Sequence, residues 1–237
     1  MIINKELLKS NAASLGVELN DTALEKFDTL AQLLIEQNKT MNLTAITDPD
    51  EVVIKHFADS VSLFSAVIPE ENAKILDLGT GAGFPGIPLL ITRPDIRLTM
   101  VDSTAKKLRY VADTVEKLGL EAEVLHARAE EAGKNPEYRE QYDIVCSRAV
   151  AALNVLSEYC LPFVKVGGVF VAMKGAKAEE EITDAKKAIG ILGGKIIDKK
   201  TFTLSDGGER TLIIIKKISQ TSPKYPRVSA QISKKPL

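Results

Sequence analysis

Between Lys74 and Lys216 short apolar runs alternate with longer amphipathic stretches. The runs at 74–78, 97–102, 121–125, 142–147, 167–173, 195–204 and 210–216 have the length and composition of strands, while 86–92, 104–118, 151–164 and 177–192 follow a helical period. This alternation predicts βαβ units and an open, mainly parallel sheet. The last two runs break the rhythm: Ser205-Asp206-Gly207-Gly208 joins them directly, which predicts an antiparallel hairpin at the C-terminal edge. Upstream, residues 1–68 read as helical. Leu24, Phe27, Leu30, Leu33 and Leu34 recur at three- and four-residue spacing and make one apolar face, with Asn20 or Asp21 as its cap. A polar turn spans Asn38 to Asn42. Asp48-Pro49 then starts a second helix that turns Val52, Val53, Phe57, Val61 and Phe64 inward. After Lys217 the periodicity stops. The chain therefore divides into a helical extension (1–70), an α/β domain (71–217) and a tail (218–237).

Charge changes this picture mainly at the tail. Of the 237 residues 27% are charged and 45% hydrophobic, the mix of a globular domain, and the net charge of −1, taken alone, argues only weakly against a nucleic-acid partner. The distribution is uneven. Residues 1–70 carry five basic and eleven acidic side chains, whereas 216–237 carry six basic and no acidic ones. A basic segment containing Pro223, Pro226 and Pro236 predicts an arm that reaches a polyanion; the alternative is a solvated, frayed end. On that expectation its removal weakens nucleic-acid binding and leaves cofactor affinity unchanged. The N-terminus lacks the apolar core of a signal peptide, and no run is long enough to span a membrane. Cys146 and Cys160 sit in apolar contexts without a CxxC spacing, which predicts buried thiols in a cytoplasmic protein. His56 and His126 are the two histidines, too few and too far apart for a metal site.

The candidate chemistry begins at Ile75-Leu76-Asp77-Leu78-Gly79-Thr80-Gly81-Ala82-Gly83-Phe84-Pro85-Gly86. Gly81 to Gly86 satisfy the dinucleotide pattern G-x-G-x-x-G, where glycines let the backbone approach a ligand. Three features point away from pyrophosphate. The carboxylate of Asp77 repels phosphate and suits a ligand with an ammonium group and hydroxyls. The terminal hairpin is not required of a dinucleotide fold. None of the tyrosines at 110, 138, 142, 159 and 225 has the Lys four residues on that a short-chain dehydrogenase needs. S-adenosylmethionine, with an amine and a sulfonium and no phosphate, meets these constraints better. Asp102 ends the second strand, where a carboxylate accepts hydrogen bonds from a ribose or caps the next helix.

Asp77 to Gly83 resemble the first motif of the class I S-adenosylmethionine-dependent methyltransferases. Further matches are Asn42-Leu43-Thr44, His56-x-x-Asp59-Ser60, Gly83-Phe84-Pro85-Gly86-Ile87-Pro88-Leu89, Val101-Asp102-Ser103, Arg128-Ala129-Glu130-Glu131, Ser147-Arg148-Ala149, Lys174-Gly175 and Gly208-Glu209-Arg210. From about Asn38 to Lys216 the set resembles the RsmG (GidB) family, and Pro223-Lys224-Tyr225-Pro226-Arg227 resembles its longer members. The resemblance implies a Rossmann-like seven-stranded methyltransferase sheet and methyl transfer from S-adenosylmethionine to guanine N7 of bacterial 16S rRNA, free or in the small subunit. It also implies cofactor contacts from Asp77, Gly79, Gly81, Gly83, Phe84, Asp102, Ala129, Glu130 and Arg148, with backbone at Ala129-Glu130 meeting the adenine. Phe84 equally suits packing on the 86–92 helix, and Glu130 suits a helix first turn.

Guanine N7 has an in-plane lone pair and loses no proton on methylation, so the reaction needs alignment and not a general base. Arg148, at the carboxyl end of a central strand, is the catalytic candidate. Arg128, Lys174 and Arg210 complete an expected basic ring for phosphates and the guanine edge, extended by Lys224 and Arg227. Cys146 shares the strand face of Arg148 and reads as a core thiol. His56 and Asp59, three apart on one helix, are expected to pair and to fix a helical lid over the cofactor. A monomer without metal or membrane contact is expected. Two rivals remain at this level: a small-molecule methyltransferase, which leaves the basic tail unexplained, and a non-catalytic RNA-binding module, which leaves the intact acid–glycine loop unexplained.

Overall fold

The computed structural model describes residues 2–148 and 150–237. Strands β1 (Lys74–Leu78), β2 (Arg97–Asp102), β3 (Glu123–His126), β4 (Tyr142–Arg148), β5 (Val164–Lys174), β6 (Gly194–Thr203) and β7 (Glu209–Lys217) form one sheet in the order β3-β2-β1-β4-β5-β7-β6. β1 to β5 are parallel; β7 inserts antiparallel between β5 and β6. Consecutive strands step outward from β1 to β2 and β3, and β4 then returns to the other side of β1. The order reverses between β1 and β4, so a crevice opens beyond their carboxyl ends, the usual ligand position in such a sheet. Asp77 is level with Cys146, and the Ser147 hydroxyl donates to the Leu78 carbonyl at 2.7 Å, holding the two strand ends together.

One face of the sheet is covered by α1 (Lys5–Ser14), α2 (Asp21–Met41), α3 (Pro49–Val52), α4 (Asp59–Val61), α5 (Gly86–Thr92) and α6 (Ala105–Lys117). Asn4 and Asn20 cap α1 and α2 by accepting from Leu7 and Ala23 N–H groups, as short polar side chains do at helix starts. Phe27, Leu30 and Leu34 of α2 are fully buried, each worth roughly 1.5–3 kcal/mol of burial. They share a continuous core with Ile75, Met100 and Ile144 of the sheet, so residues 1–70 are built onto the sheet and not set apart from it. The opposite face holds α7 (Ala129–Ala132), α8 (Leu153–Cys160) and α9 (Ala178–Ile191), packed over Leu76, Val145 and Phe170.

Three element boundaries differ from the pattern. The helix opened by Pro49 runs as α3, a π-helical stretch Val53–Ala58, α4 and a 3-10 turn Ser62–Ser65; Leu63 is fully buried where Phe64 was the expected core residue. β5 begins at Val164, three residues early. Gly167 (φ +90°) and Gly168 let it bulge, and a Cβ at Gly168 would lie 2.7 Å from the Asp143 carbonyl. β3 starts at Glu123, where pairing with Thr99 begins.

The tail is the largest correction. Residues 218–237 dock on α8 and on the edge of α7, ending in α10 (Ser229–Lys234), with Tyr225 buried and Ile232 fully so. The Arg227 N–H and guanidinium donate to Glu158, a fully buried carboxylate, at 2.6–3.2 Å. Arg139 donates to the carbonyls of Thr221, Ser222 and Tyr225. Buried Lys217 donates to the Leu161 carbonyl and the Thr221 hydroxyl beside Glu140; burial pushes its ammonium down to about 8 against the pull of that carboxylate.

Candidate functional site

The loop after β1 owes its shape to backbone conformations that side chains resist. Gly79 (φ +76°), Gly81 (φ +58°) and Gly83 (φ +91°) are all left-handed. A Cβ at Gly79 would lie 2.5 Å from Val150 Cγ2, and one at Gly83 2.4 Å from Ile87 Cδ1. Gly79 and Gly81 line a cavity of about 520 Å³; Gly83 stands behind it as the packing point of α5. Asp77 also lies beneath the loop and does not line the cavity. Its Oδ2 accepts from the Thr80 hydroxyl at 2.6 Å and the Gly86 N–H at 2.9 Å, so the carboxylate ties the two ends of the loop. Burial raises this carboxyl to about 6 despite those hydrogen bonds. Asp77, expected among the cofactor contacts, is thus buried beneath the loop with the loop's own groups as its hydrogen-bond partners.

Asp102 lines the same cavity. Its Oδ2 accepts from the Gly81 N–H at 3.0 Å and its Oδ1 from the Thr104 N–H at 2.8 Å, so it braces the glycine loop and the start of α6 together. Ala127, Arg128, Ala129 and Glu130 form one end of the cavity; Phe84, His56 and Arg148 form the other. The glycine backbone, the carboxylate at the end of β2 and the residues at Ala129–Glu130 fit an adenosine with an amino-acid arm, and the carboxylate held against the Gly81 N–H occupies a place where a pyrophosphate would be repelled. Thr44, Lys107, Tyr159 and Ser229 also line it. Of these only Thr44 lay in a stretch that the sequence singled out. The others come from a helix face, α8 and the tail, and nothing in their local sequence marks them.

At the reactive end the side chains interlock. The His56 ring stacks on Phe84 with centroids 4.7 Å apart and planes inclined by 14°, and Arg148 lies 5.4 Å above the same Phe84 ring. His56 Nε2 is 2.9 Å from the Thr44 hydroxyl. Arg148 Nη2 lies 3.5 Å from His56 Nδ1, and its Nη1 donates to Asp59 Oδ2 at 3.0 Å. The other carboxylate oxygen, Asp59 Oδ1, accepts from Arg210 Nε at 3.0 Å. Arg148 therefore stands between His56 and Asp59, in place of the expected direct pair. Burial and the neighbouring guanidinium hold the His56 imidazole down to about 3.

A second cavity, of about 450 Å³, shares His56 and Arg148 with the first and extends along Asp59, Lys174, Arg210 and Lys55. The expected basic ring is only partly free here. Arg148 and Arg210 converge on Asp59, and Lys174 is bridged to Glu181 at 2.7 Å and donates to the Ala151 carbonyl. Arg128 is exposed, on the cofactor cavity, and 3.9 Å from Glu130. Arg227 is spent on Glu158 and not available to phosphate. Lys224 is exposed, with its ammonium 5.1 Å from the Tyr225 ring centre. Cys146 and Cys160 are fully buried, and burial pushes both thiols well above their ordinary range. Among the described residues no group of three or more His, Cys, Asp or Glu could hold a metal, and no helix is long and apolar enough to cross a membrane.

A family model for GidB, rRNA small subunit methyltransferase G, matches residues 23–213. The chain belongs to the GidB family. Similar proteins bear the name ribosomal RNA small subunit methyltransferase G: that of Acetivibrio thermocellus is 48% identical over 98% of this chain and 96% of its own, and that of Pelotomaculum thermopropionicum is 47% identical over the full length of both. Among solved structures, an S-adenosylmethionine-dependent methyltransferase from Aquifex aeolicus superposes with a TM-score of 0.53 over 73% of this chain and 96% of that one, at 19% identity. A 16S rRNA (adenine(1408)-N(1))-methyltransferase variant from Catenulisporales acidiphilia gives 0.55 over 66% and 88%, at 12% identity. At those identities the likeness speaks for the fold. The GidB match includes every lining residue of the two cavities except Ser229 and stops before the tail.

Proposed function

We propose that the second cavity receives a guanine of small-subunit ribosomal RNA and that its N7 takes the methyl group by direct attack, without a general base. As a GidB-family protein the chain is an S-adenosylmethionine-dependent methyltransferase of 16S rRNA. The observation that carries the finer reading is the position of Arg148 on the shared wall of the two cavities, fixed by Asp59 and stacked over Phe84. S-adenosylmethionine supplies, when bound, a methyl group already activated by its cationic sulfur. What the chain must add is orientation. Phe84, His56 and Arg148 form a partition held by ring stacking, by the guanidinium over the Phe84 ring and by the Asp59 ion pair. A guanidinium offers donors and no acceptor, which suits the guanine O6 and neighbouring phosphates. Lys55, Arg148, Lys174 and Arg210 face two carboxylates, Asp59 and Glu181, so the second cavity favours an anionic guest. His56 lines both cavities, but an imidazole held down to about 3 is too weak a base to take a proton near neutrality. Both cavities are built from one chain, which makes a monomer the proposed working unit.

The test is single-turnover methylation of small subunits from mildly acidic to mildly basic pH, with reverse-transcription mapping of N7-methylguanine. A nearly flat profile is expected for the parent and for His56→Asn, with Arg148→Ala slow throughout. A steep rise with pH that disappears in His56→Asn shows general-base chemistry and overturns the proposal.

A further inference from the structure

The cofactor cavity has a wall that neither the glycine loop nor the strand ends supply. Tyr159 of α8 and Ser229 of α10 both line it, and their hydroxyl oxygens are 2.9 Å apart. Ser229 lies 70 residues beyond Tyr159 and reaches it only because the tail is docked. That docking is specific: Arg227, two residues before Ser229, is held through its backbone N–H and guanidinium by buried Glu158, next to Tyr159. Ile232, one turn on, is fully buried. At the same end, Pro226 packs against the turn that closes α7, where a Cβ at Gly133 would sit 3.2 Å from Pro226 Cγ. The tail is therefore fastened beside α7, whose first residues, Ala129 and Glu130, form the end of the cavity away from Phe84, His56 and Arg148.

Two hydroxyls carry two hydrogens, and their mutual bond uses one. The pair is left with one hydrogen to donate and lone pairs to accept. This complements a ligand edge that sets an amino donor beside a ring-nitrogen acceptor, as the six-membered ring of adenine does. We propose that the C-terminal segment is the outer wall of the cofactor site, and that the paired Tyr159 and Ser229 hydroxyls bind the amino edge of the adenine. The proposal rests on the reading that this cavity holds the cofactor with its base toward Ala129 and Glu130.

The experiment is calorimetric binding of S-adenosylhomocysteine, and of its analogue lacking the 6-amino group, to the full-length chain and to the double variant Tyr159→Phe/Ser229→Ala. The expected result is that the double variant binds S-adenosylhomocysteine about tenfold more weakly, a factor that one hydrogen bond commonly carries. The analogue keeps the ring nitrogen and lacks only the amino donor, so it should be weakened less than S-adenosylhomocysteine, and the preference for the 6-amino group shrinks. Ser229→Thr keeps a hydroxyl and should retain the parent affinity, and unchanged melting of the double variant checks that its fold is intact. Equal weakening for both ligands, or none for either, overturns the proposal. Failure of the parent to bind S-adenosylhomocysteine overturns instead the reading of the cavity on which it rests.

Discussion

Asp59 is the side chain on which the reactive end depends. It is buried, and each of its carboxylate oxygens holds a different arginine, Arg148 from β4 and Arg210 from β7. Removing one partner of a buried ion pair strands the other's charge and costs about 3–5 kcal/mol. Asp59→Ala strands Arg148, the better buried of the two arginines, and is expected to destabilise by about 3 kcal/mol. Arg210→Ala leaves the Arg148 bond in place and should cost less than half of that in urea unfolding. Asp59 acts through the arginines and is a positioning residue. Asp59→Asn keeps the shape and is expected to lower kcat about tenfold or more while S-adenosylhomocysteine affinity changes much less; a parallel fall in both would give Asp59 only a structural part. The sequence marks His56 as half of a structural pair with Asp59, but not the partners it meets in the fold. A histidine three residues from an aspartate reads as a pair, and only the tertiary placement of Arg148 between them, with Phe84 beneath the ring, shows a buried neutral imidazole.

Between residue and molecule, the elements separate what the sequence carries from what it leaves to tertiary contact. The seven strands, the hairpin and the glycine loop are legible because buried strands read as apolar runs and left-handed turns demand glycine. The π-helical stretch Val53–Ala58 is not legible: its residues follow the same apolar spacing as an α-helix, and the wider turn is stabilised by what it packs on. The docked tail is not legible either, since its anchors are single residues, Tyr225, Arg227 and Ile232, without a period. Asp77 illustrates a subtler miss. The sequence marks the acid before the glycines as a ligand contact, and in the fold its partners are the loop's own Thr80 and Gly86. Gly86→Ala tests that arrangement, because the added Cβ would lie 2.8 Å from Met100 Sδ and 2.9 Å from Asp77 Oδ2. Overpacking of this kind costs roughly 1–3 kcal/mol. The expected outcome is a lower urea midpoint together with weaker cofactor binding, whereas Gly207→Ala, in the open hairpin turn, lowers the midpoint slightly and leaves binding alone.

For the whole molecule, pH and salt report on different sets of charges. His56 is neutral in the fold and titrates near 6.5 when unfolded, so the unfolded chain binds the extra proton between about 6.5 and about 3. Its contribution to stability is complete above that window and is lost as pH falls through it. Asp77 has the opposite sign. Its carboxyl is raised from 3.8 to about 6, so its contribution is complete below 3.8 and lost as pH rises through about 6. The two slopes oppose each other between about 4 and 6. His56→Gln should therefore leave a net slope in which stability falls as pH rises across that range, measured by urea unfolding at a series of pH values. Lys217 acts at the other extreme: held at about 8 against 10.5, it adds stability as pH rises between those values.

Salt separates the cations that build the tail from those free to meet RNA. Arg227 and Lys217 are bound into the fold, while Lys224, Lys234 and Lys235 are exposed on the docked tail. The acidic excess of residues 1–70 lies in the same molecule, so the net charge of −1 conceals a polarity that orients an approaching polyanion. Each cation that pairs with a phosphate releases counterions and steepens the fall of log affinity with log salt by about one unit. Substituting Lys224, Lys234 and Lys235 together by Ala should reduce that slope by up to about three units for small-subunit RNA. Melting and S-adenosylhomocysteine affinity should not change. Arg227→Ala should do the reverse: it strands the buried Glu158 charge, lowers stability by about 3 kcal/mol and weakens cofactor binding by loosening Ser229, with little change in salt slope. Deletion of residues 218–237 combines both effects. If the triple lysine variant binds RNA with an unchanged salt slope, the tail serves the cofactor site alone and the RNA-facing charge lies elsewhere.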